Sequence, residues 1–206
     1  GRGRITLDYE HFSVVMHAER RLATYTASNI DGGRLQRIKR EKDRWFLDPR
    51  IDTRFQIGDE LYRDNDLDRG HLVRRLDPAW GDIAEARLGA GDTFFFTNCS
   101  PQHIKFNQQL WLELEDYLLD NAETRGFAAC VFTGPVFDEG DPVYRGVQLP
   151  RAFWKVATMV HDQRDALTAT GYIVSQGDLI QDIEFVFGEF RTYQVPLADV
   201  EEWTHL

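Results

Sequence analysis

The densest chemistry in the chain lies in Asp66-Leu67-Asp68-Arg69-Gly70-His71-Leu72-Val73-Arg74-Arg75, which gathers acid, guanidinium, glycine and imidazole in one short run. Histidine is the side chain whose unperturbed pKa, near 6.5, suits proton transfer at neutral pH. A neighbouring arginine is the residue best shaped to grip a phosphate with two prongs. Gly70 would let the backbone turn so that Arg69 and His71 face one target. The competing reading is a surface turn with a chance histidine. A second run, Thr97-Asn98-Cys99-Ser100-Pro101-Gln102-His103-Ile104-Lys105-Phe106-Asn107, leads into an apolar-periodic stretch that carries Glu115. At about 100° per residue, Asn107 and Glu115 lie within roughly a quarter-turn of each other, two turns apart. An amide carbonyl and a carboxylate are hard oxygen donors suited to Mg²⁺, which keeps several waters. The alternative makes Asn107 a helix cap and Glu115 part of a solvated charged face.

These residues need elements to hold them. Asn107 to Asn121 sets Leu110, Trp111, Leu114, Tyr117 and Leu118 at the spacing of one buried helical face. Phe12–Met16 and Leu22–Ala27 read as two short strands joined by polar turn residues, and Asn29 to Gly33 supplies turn chemistry after the second. Thr93–Thr97, Ala128–Thr133, Phe153–Val160 and Leu167–Val174 read as further strands, the last two as a pair. Leu179–Phe185 is apolar at mixed spacing and fits either type. Strands without a regular alternation of helices predict an α+β, mainly antiparallel sheet with flanking helices.

The 206 residues suffice for one domain, and 42% hydrophobic with 13% aromatic residues supply a substantial core. Charged residues at 28% argue against a disordered or low-complexity chain. No apolar run approaches the roughly 20 residues of a membrane span, and the start lacks a signal-peptide apolar segment. Cys99 and Cys130 lack metal-cluster spacing and are too few for a disulfide-built fold; they pair only if the compartment is oxidising. A net charge of −10 argues against a protein that simply coats nucleic acid. The average hides an asymmetry: from 34 to 50 seven basic residues face three acids, whereas from 177 to 206 seven acids accompany only Arg191. A polyanion meets a face, not an average. His11, His17, His103, His161 and His205 have no spaced partners and read as ordinary histidines; the Phe94–Phe96 and Phe185–Phe187 clusters read as core.

Taken together, the two chemical runs resemble the DNA/RNA non-specific endonucleases, the ββα-metal (His-Me finger) family. The signature Asp-Arg-Gly-His appears as Asp68-Arg69-Gly70-His71. The metal-helix pattern appears as Asn107-Gln108-Gln109-Leu110-Trp111-Leu112-Glu113-Leu114-Glu115, preceded by Thr97-Asn98-Cys99-Ser100-Pro101-Gln102. Thr133-Gly134-Pro135, Pro150-Arg151-Ala152-Phe153-Trp154-Lys155 and Val195-Pro196 resemble the family's downstream features, so the likeness runs from about Tyr9 to Trp203.

The resemblance implies a single nuclease domain over residues 1–206, read as a catalytic domain taken from a longer polypeptide. It implies hydrolysis of DNA and RNA phosphodiester bonds with little sequence preference, leaving 5′-phosphate ends. His71 would be the general base and Asn107 the direct ligand of a hydrated Mg²⁺, with Mn²⁺ as substitute. Glu115 would hold the metal's water shell, Asn98 would order the site, and Arg69 would brace the scissile phosphate or the local fold. An upstream phosphate-contacting arginine falls on Arg40 or Arg44, with Arg44 favoured for its position beside the Trp45-Phe46 pair. DNA and RNA are the implied partners, without a membrane; a homodimer, an inhibitor protein or a regulatory domain also fits. The compartment stays open between cytoplasmic and released as part of a longer protein. Two rivals remain: a catalytically silent nuclease fold that only binds, and a nuclease restricted to one nucleic-acid type.

Overall fold

The computed structural model describes residues 4–40, 42–161, 166–180 and 191–204. Three strands, β1 (Arg4–Tyr9), β2 (Phe12–His17) and β3 (Leu22–Asp31), form an antiparallel meander. β4 (Leu67–His71) follows a long irregular segment, then α1 (Ile83–Asp92) and β5 (Cys99–His103). A helical rod begins at α2 (Ile104–Phe106), widens into a π turn over Asn107–Trp111 and continues as α3 (Leu112–Arg125). The rest of the sheet comes from β6 (Ala128–Val136), after which β7 (Val143–Tyr144) and β8 (Val147–Gln148) make a small separate hairpin. β9 (Ala152–His161), β10 (Ala166–Ser175), α4 (Gly177–Ile180), β11 (Arg191–Val195) and α5 (Leu197–Thr204) complete the described chain.

The main sheet has seven strands in the order β1-β2-β3-β6-β9-β10-β11, and every neighbouring pair is antiparallel. Period-2 alternation gives it two apolar faces. Phe153 and Val174 join Val14, Met16, Phe106, Trp111 and Leu114 in one core cluster, whereas their neighbours Trp154 and Ile173 pack with Val200 of α5 on the other side. The helical rod thus lies across one face, anchored by Phe106 and Trp111, both essentially inaccessible to water. α3 ends at Gly126, whose φ of +66° is the left-handed geometry of a helix terminus. β4 and β5 pair antiparallel, from Leu67 opposite His103 to His71 opposite Cys99, and feed directly into the rod. That two-strand-and-helix unit presents the chemical residues.

β2, β3 and the β9–β10 pair match the sequence expectation, although β3 runs on to Asp31 through residues read as a turn, and β1 was not read as a strand. Thr93–Thr97 does not form a strand. Thr93 caps α1, its buried hydroxyl donating to the Ala90 carbonyl (2.8 Å), and Phe96–Asn98 is a 3₁₀ turn. Its aromatic residues are apolar because they wall a pocket and a core, not because they alternate across a sheet. Tyr117 is 59% exposed where one buried helical face was expected, while Leu119 is buried. The π turn adds a residue per turn and breaks the simple 3.6 count. α1, with its reciprocal Asp82–Glu85 capping box, and α5 escaped the periodicity reading. Of Leu179–Phe185 only the first two residues are described, at the end of α4; residues 181–185, like Phe185–Phe187 and His205, lie outside the described residues.

Candidate active site

His71 closes β4, and the next residues are pinned by Asn98. The fully buried Asn98 side chain accepts from the Val73 N–H (2.9 Å) and donates to the Val73 carbonyl (2.9 Å) and the Thr93 carbonyl (3.0 Å). Its own backbone carbonyl takes the Leu72 N–H (3.0 Å). From the helical rod, the Trp111 indole donates to the His71 carbonyl at 3.3 Å. The imidazole sits against Trp45 (4.7 Å between centroids) and meets Phe94 edge-on (5.2 Å). Its Nε2 is shielded from solvent and has no hydrogen-bond partner among the described residues. Burial pushes its pKa down to about 3, and the nearby Arg40, Arg75 and Arg74 charges push the same way against the opposing effect of Asp43. The ring is therefore neutral at physiological pH.

Strand alternation alone sets Arg69 and His71 on one face of β4. Gly70 is not in the left-handed region that a sharp turn would require. Its role is space: a Cβ there would fall 2.1 Å from Oε1 and 2.2 Å from Cδ of the buried Gln102 side chain on β5. Arg69 pairs with Asp59 and lies over the Tyr62 ring (5.5 Å), while also lining the cavity that holds His71.

That cavity, about 620 Å³, is where the remaining site residues meet. Asn107 opens the π turn and Glu115 follows on α3, and both line it with His71. In a regular helix eight residues would leave Glu115 about 80° ahead of Asn107. The wider π turn advances less per residue and removes part of that lead. Asn107 Nδ2 donates to Asp68 Oδ2 (3.0 Å), which turns the amide carbonyl oxygen away from Asp68; Gln108 Nε2 donates to the same oxygen (3.1 Å). Glu115, only 7% exposed, accepts from Lys155 Nζ at 3.3 Å, and Lys155 lies 4.8 Å over the Trp111 ring. Burial raises the Glu115 pKa to about 7, and Lys155 acts against it.

Arg40 lines this cavity, paired with Asp43, together with Arg74 and Arg75. Arg44, favoured from sequence, instead lines an adjoining groove, with its guanidinium 5.6 Å from the Phe46 ring. Its place beside Trp45 in sequence does not bring it to the His71 cavity, because the segment between them and the site is irregular. Asp68, Trp45, Arg74, Arg75 and Lys155 were not singled out as site residues. Signals existed for the last three: Arg74 and Arg75 close the histidine run itself, and Lys155 ends the Pro150–Lys155 motif. Cys99 is a buried thiol beside the Tyr62 hydroxyl (3.1 Å), raised to about 12 by burial, and both cysteines are free. His103 is buried and caps α2, in keeping with a structural reading.

Among the described residues no three His, Cys, Asp or Glu side chains are grouped to enclose a metal. Asn107 and Glu115 in a roomy polar cavity offer oxygen donors that suit a hard ion keeping most of its water.

A seven-stranded antiparallel sheet carrying a two-strand-and-helix finger, with histidine, amide and carboxylate on one arginine-rimmed cavity, defines the class of protein. The chain belongs to the DNA/RNA non-specific endonuclease family, whose profile matches residues 1–206. It is 48% identical over 216 residues to the protein y4fB of Sinorhizobium fredii, covering 96% of this chain and 32% of that one. It is 36% identical over 77 residues to human mitochondrial Endonuclease G, covering 37% and 24% respectively. The chain thus spans under a third of the length of the curated relatives it matches. Its fold is shared with a crystal structure of an EndoG/EndoGI complex, at a TM-score of 0.78 and 17% identity over 100% of this chain and 86% of that one.

Proposed function

We propose that the chain is a Mg²⁺-dependent nuclease that hydrolyses phosphodiester bonds of DNA and RNA, with His71 as general base. The observation that carries the reading is the convergence of His71, Asn107 and Glu115 on one cavity rimmed by Arg40, Arg69, Arg74 and Arg75. A cation held by Asn107, with Glu115 fixing its waters, would neutralise charge on the phosphate and the departing 3′-oxygen. Mn²⁺, with the same preference for oxygen donors, fits the same donors.

The chain's own groups do the rest. Arginines on the cavity wall hold the phosphate against His71. The His71 imidazole accepts a proton from water as that oxygen bonds to phosphorus and the bond to the 3′-oxygen breaks, leaving a 5′-phosphate. An incoming phosphate offsets the same arginine charges that depress the imidazole, so substrate binding makes His71 a better base. Contacts to phosphate and sugar carry no base identity, which accounts for low sequence preference. Asn98 and Trp111 hold the histidine in place without touching substrate.

Incubation of plasmid DNA and total RNA with Mg²⁺ or EDTA, beside His71→Ala, tests this. Degradation of both substrates, lost with EDTA and reduced by orders of magnitude in the variant, is expected. Wild-type protein that is folded but leaves both substrates intact would leave a silent binding module; cleavage of one alone would narrow the substrate.

A further inference from the structure

Next to the active-site cavity lies a second depression of about 340 Å³, and its walls carry Lys39, Arg40, Lys42, Arg44, Arg75 and Arg87. No carboxylate lines it among the described residues. In a chain with 24 basic and 34 acidic residues, such a convergence does not follow from composition. Arg40 and Arg75 line both spaces, so the groove opens directly from the site of chemistry.

The groove also holds an exposed aromatic. Phe46 is 49% exposed, an unfavourable place for a large apolar ring. Its backbone is fixed, since its N–H donates to the Phe94 carbonyl (3.1 Å) and its carbonyl accepts from the Phe96 N–H (2.9 Å). Phe95 packs beside the ring at 6.5 Å, and the Arg44 guanidinium lies over it. A rigid, presented ring flanked by cations is the arrangement that receives a base face and its phosphates together.

Resting on the nuclease reading of the adjoining cavity, we infer that this groove is a subsite for an unpaired nucleic-acid strand, in which Phe46 stacks on a base flanking the scissile phosphate and the surrounding lysines and arginines hold the neighbouring phosphates. A base offers its face only when it leaves a duplex, so the site selects unpaired DNA or RNA over double strands.

Binding of a fluorescent single-stranded 12-mer, in EDTA to prevent turnover, is measured by anisotropy for the wild type and for Phe46→Ala, Phe46→Trp and Lys42→Ala. Phe46→Ala is expected to weaken binding roughly 5- to 100-fold without changing its salt dependence, and Phe46→Trp to retain it. Lys42→Ala lowers the slope of log affinity against log salt by about 0.7, the value for one single-strand phosphate contact. The matching duplex loses little from Phe46→Ala. Unchanged 12-mer affinity in Phe46→Ala, or an equal loss for duplex and single strand, overturns the subsite. Hydrolysis of bis(4-nitrophenyl) phosphate by the wild type with Mg²⁺ checks the cavity separately: activity there with intact 12-mer binding in Phe46→Ala rejects the groove alone.

Discussion

Gly70→Ala tests how the histidine strand is held. A methyl at this position would collide with Cγ (2.6 Å) and Cδ (2.2 Å) of Gln102 as well as with its terminal oxygen. The clash reaches the middle of a fully buried side chain, so rotating the amide end does not relieve it. Overpacking of this kind costs about 1–3 kcal/mol. Replacing glycine where φ is ordinary returns about 0.4–1 kcal/mol through the unfolded chain. The net expectation is a loss of about 1–2 kcal/mol, which at this chain length lowers Tm by roughly 2–8 °C. Both polar atoms of Gln102 lack hydrogen-bond partners among the described residues, so Gln102→Ala removes an unsatisfied amide and costs little by itself. In that background Gly70→Ala becomes neutral or stabilising, a coupling of about 2 kcal/mol between the two sites. Urea unfolding followed by tryptophan fluorescence measures all four proteins, and nuclease activity should recover in the double variant along with stability. An equal cost of Gly70→Ala in both backgrounds would refute the packing argument and restore a backbone role for the glycine.

Asn98→Ala strands three buried backbone groups, the Val73 N–H and carbonyl and the Thr93 carbonyl, and is expected to cost about 3–5 kcal/mol with a further loss of turnover because His71 shifts. A loss under about 1 kcal/mol in urea unfolding would show that water replaces the amide. The depressed His71 pKa keeps the base neutral, so kcat/KM, reporting the free enzyme, should show no acid limb near 6.5, and the limb in kcat should lie higher than that in kcat/KM because bound phosphate offsets the arginines. A kcat/KM limb centred at the ordinary histidine value contradicts the burial argument. The same shift fixes a sign for stability: the unfolded chain binds the extra proton between about 3 and 6.5, so the His71 contribution is full above that window and is lost as pH falls through it.

What could be read in advance follows from how far each interaction reaches along the chain. The β2–β3 and β9–β10 pairs were legible because each strand carries its own apolar alternation, whereas Arg4–Tyr9 was not read as a strand. His71, Asn107 and Glu115 lie in local runs that were singled out through the resemblance to a known family, since spacing alone left ordinary alternatives open, and the structure brings all three to one cavity. Lys155 was legible only as a motif letter. Its ammonium meets Glu115 from a strand 40 positions away, and no local period reports that contact. The Phe94–Phe96 run shows the opposite failure. Its apolar character was read as a strand, whereas these rings serve separate partners: Phe94 against His71, Phe95 against Tyr9 and Phe96 against Tyr62. Arg40 and Arg44 were separable by neither type nor spacing, since both precede the Trp45-Phe46 pair by a few residues. Only the path of an irregular segment decides that Arg40 lines both the histidine cavity and the groove while Arg44 lines the groove alone. That division also gives the acidic balance a physical meaning. Cations are concentrated where a phosphate chain would run, while the surplus of carboxylates elsewhere repels the same polyanion and keeps it from binding out of place.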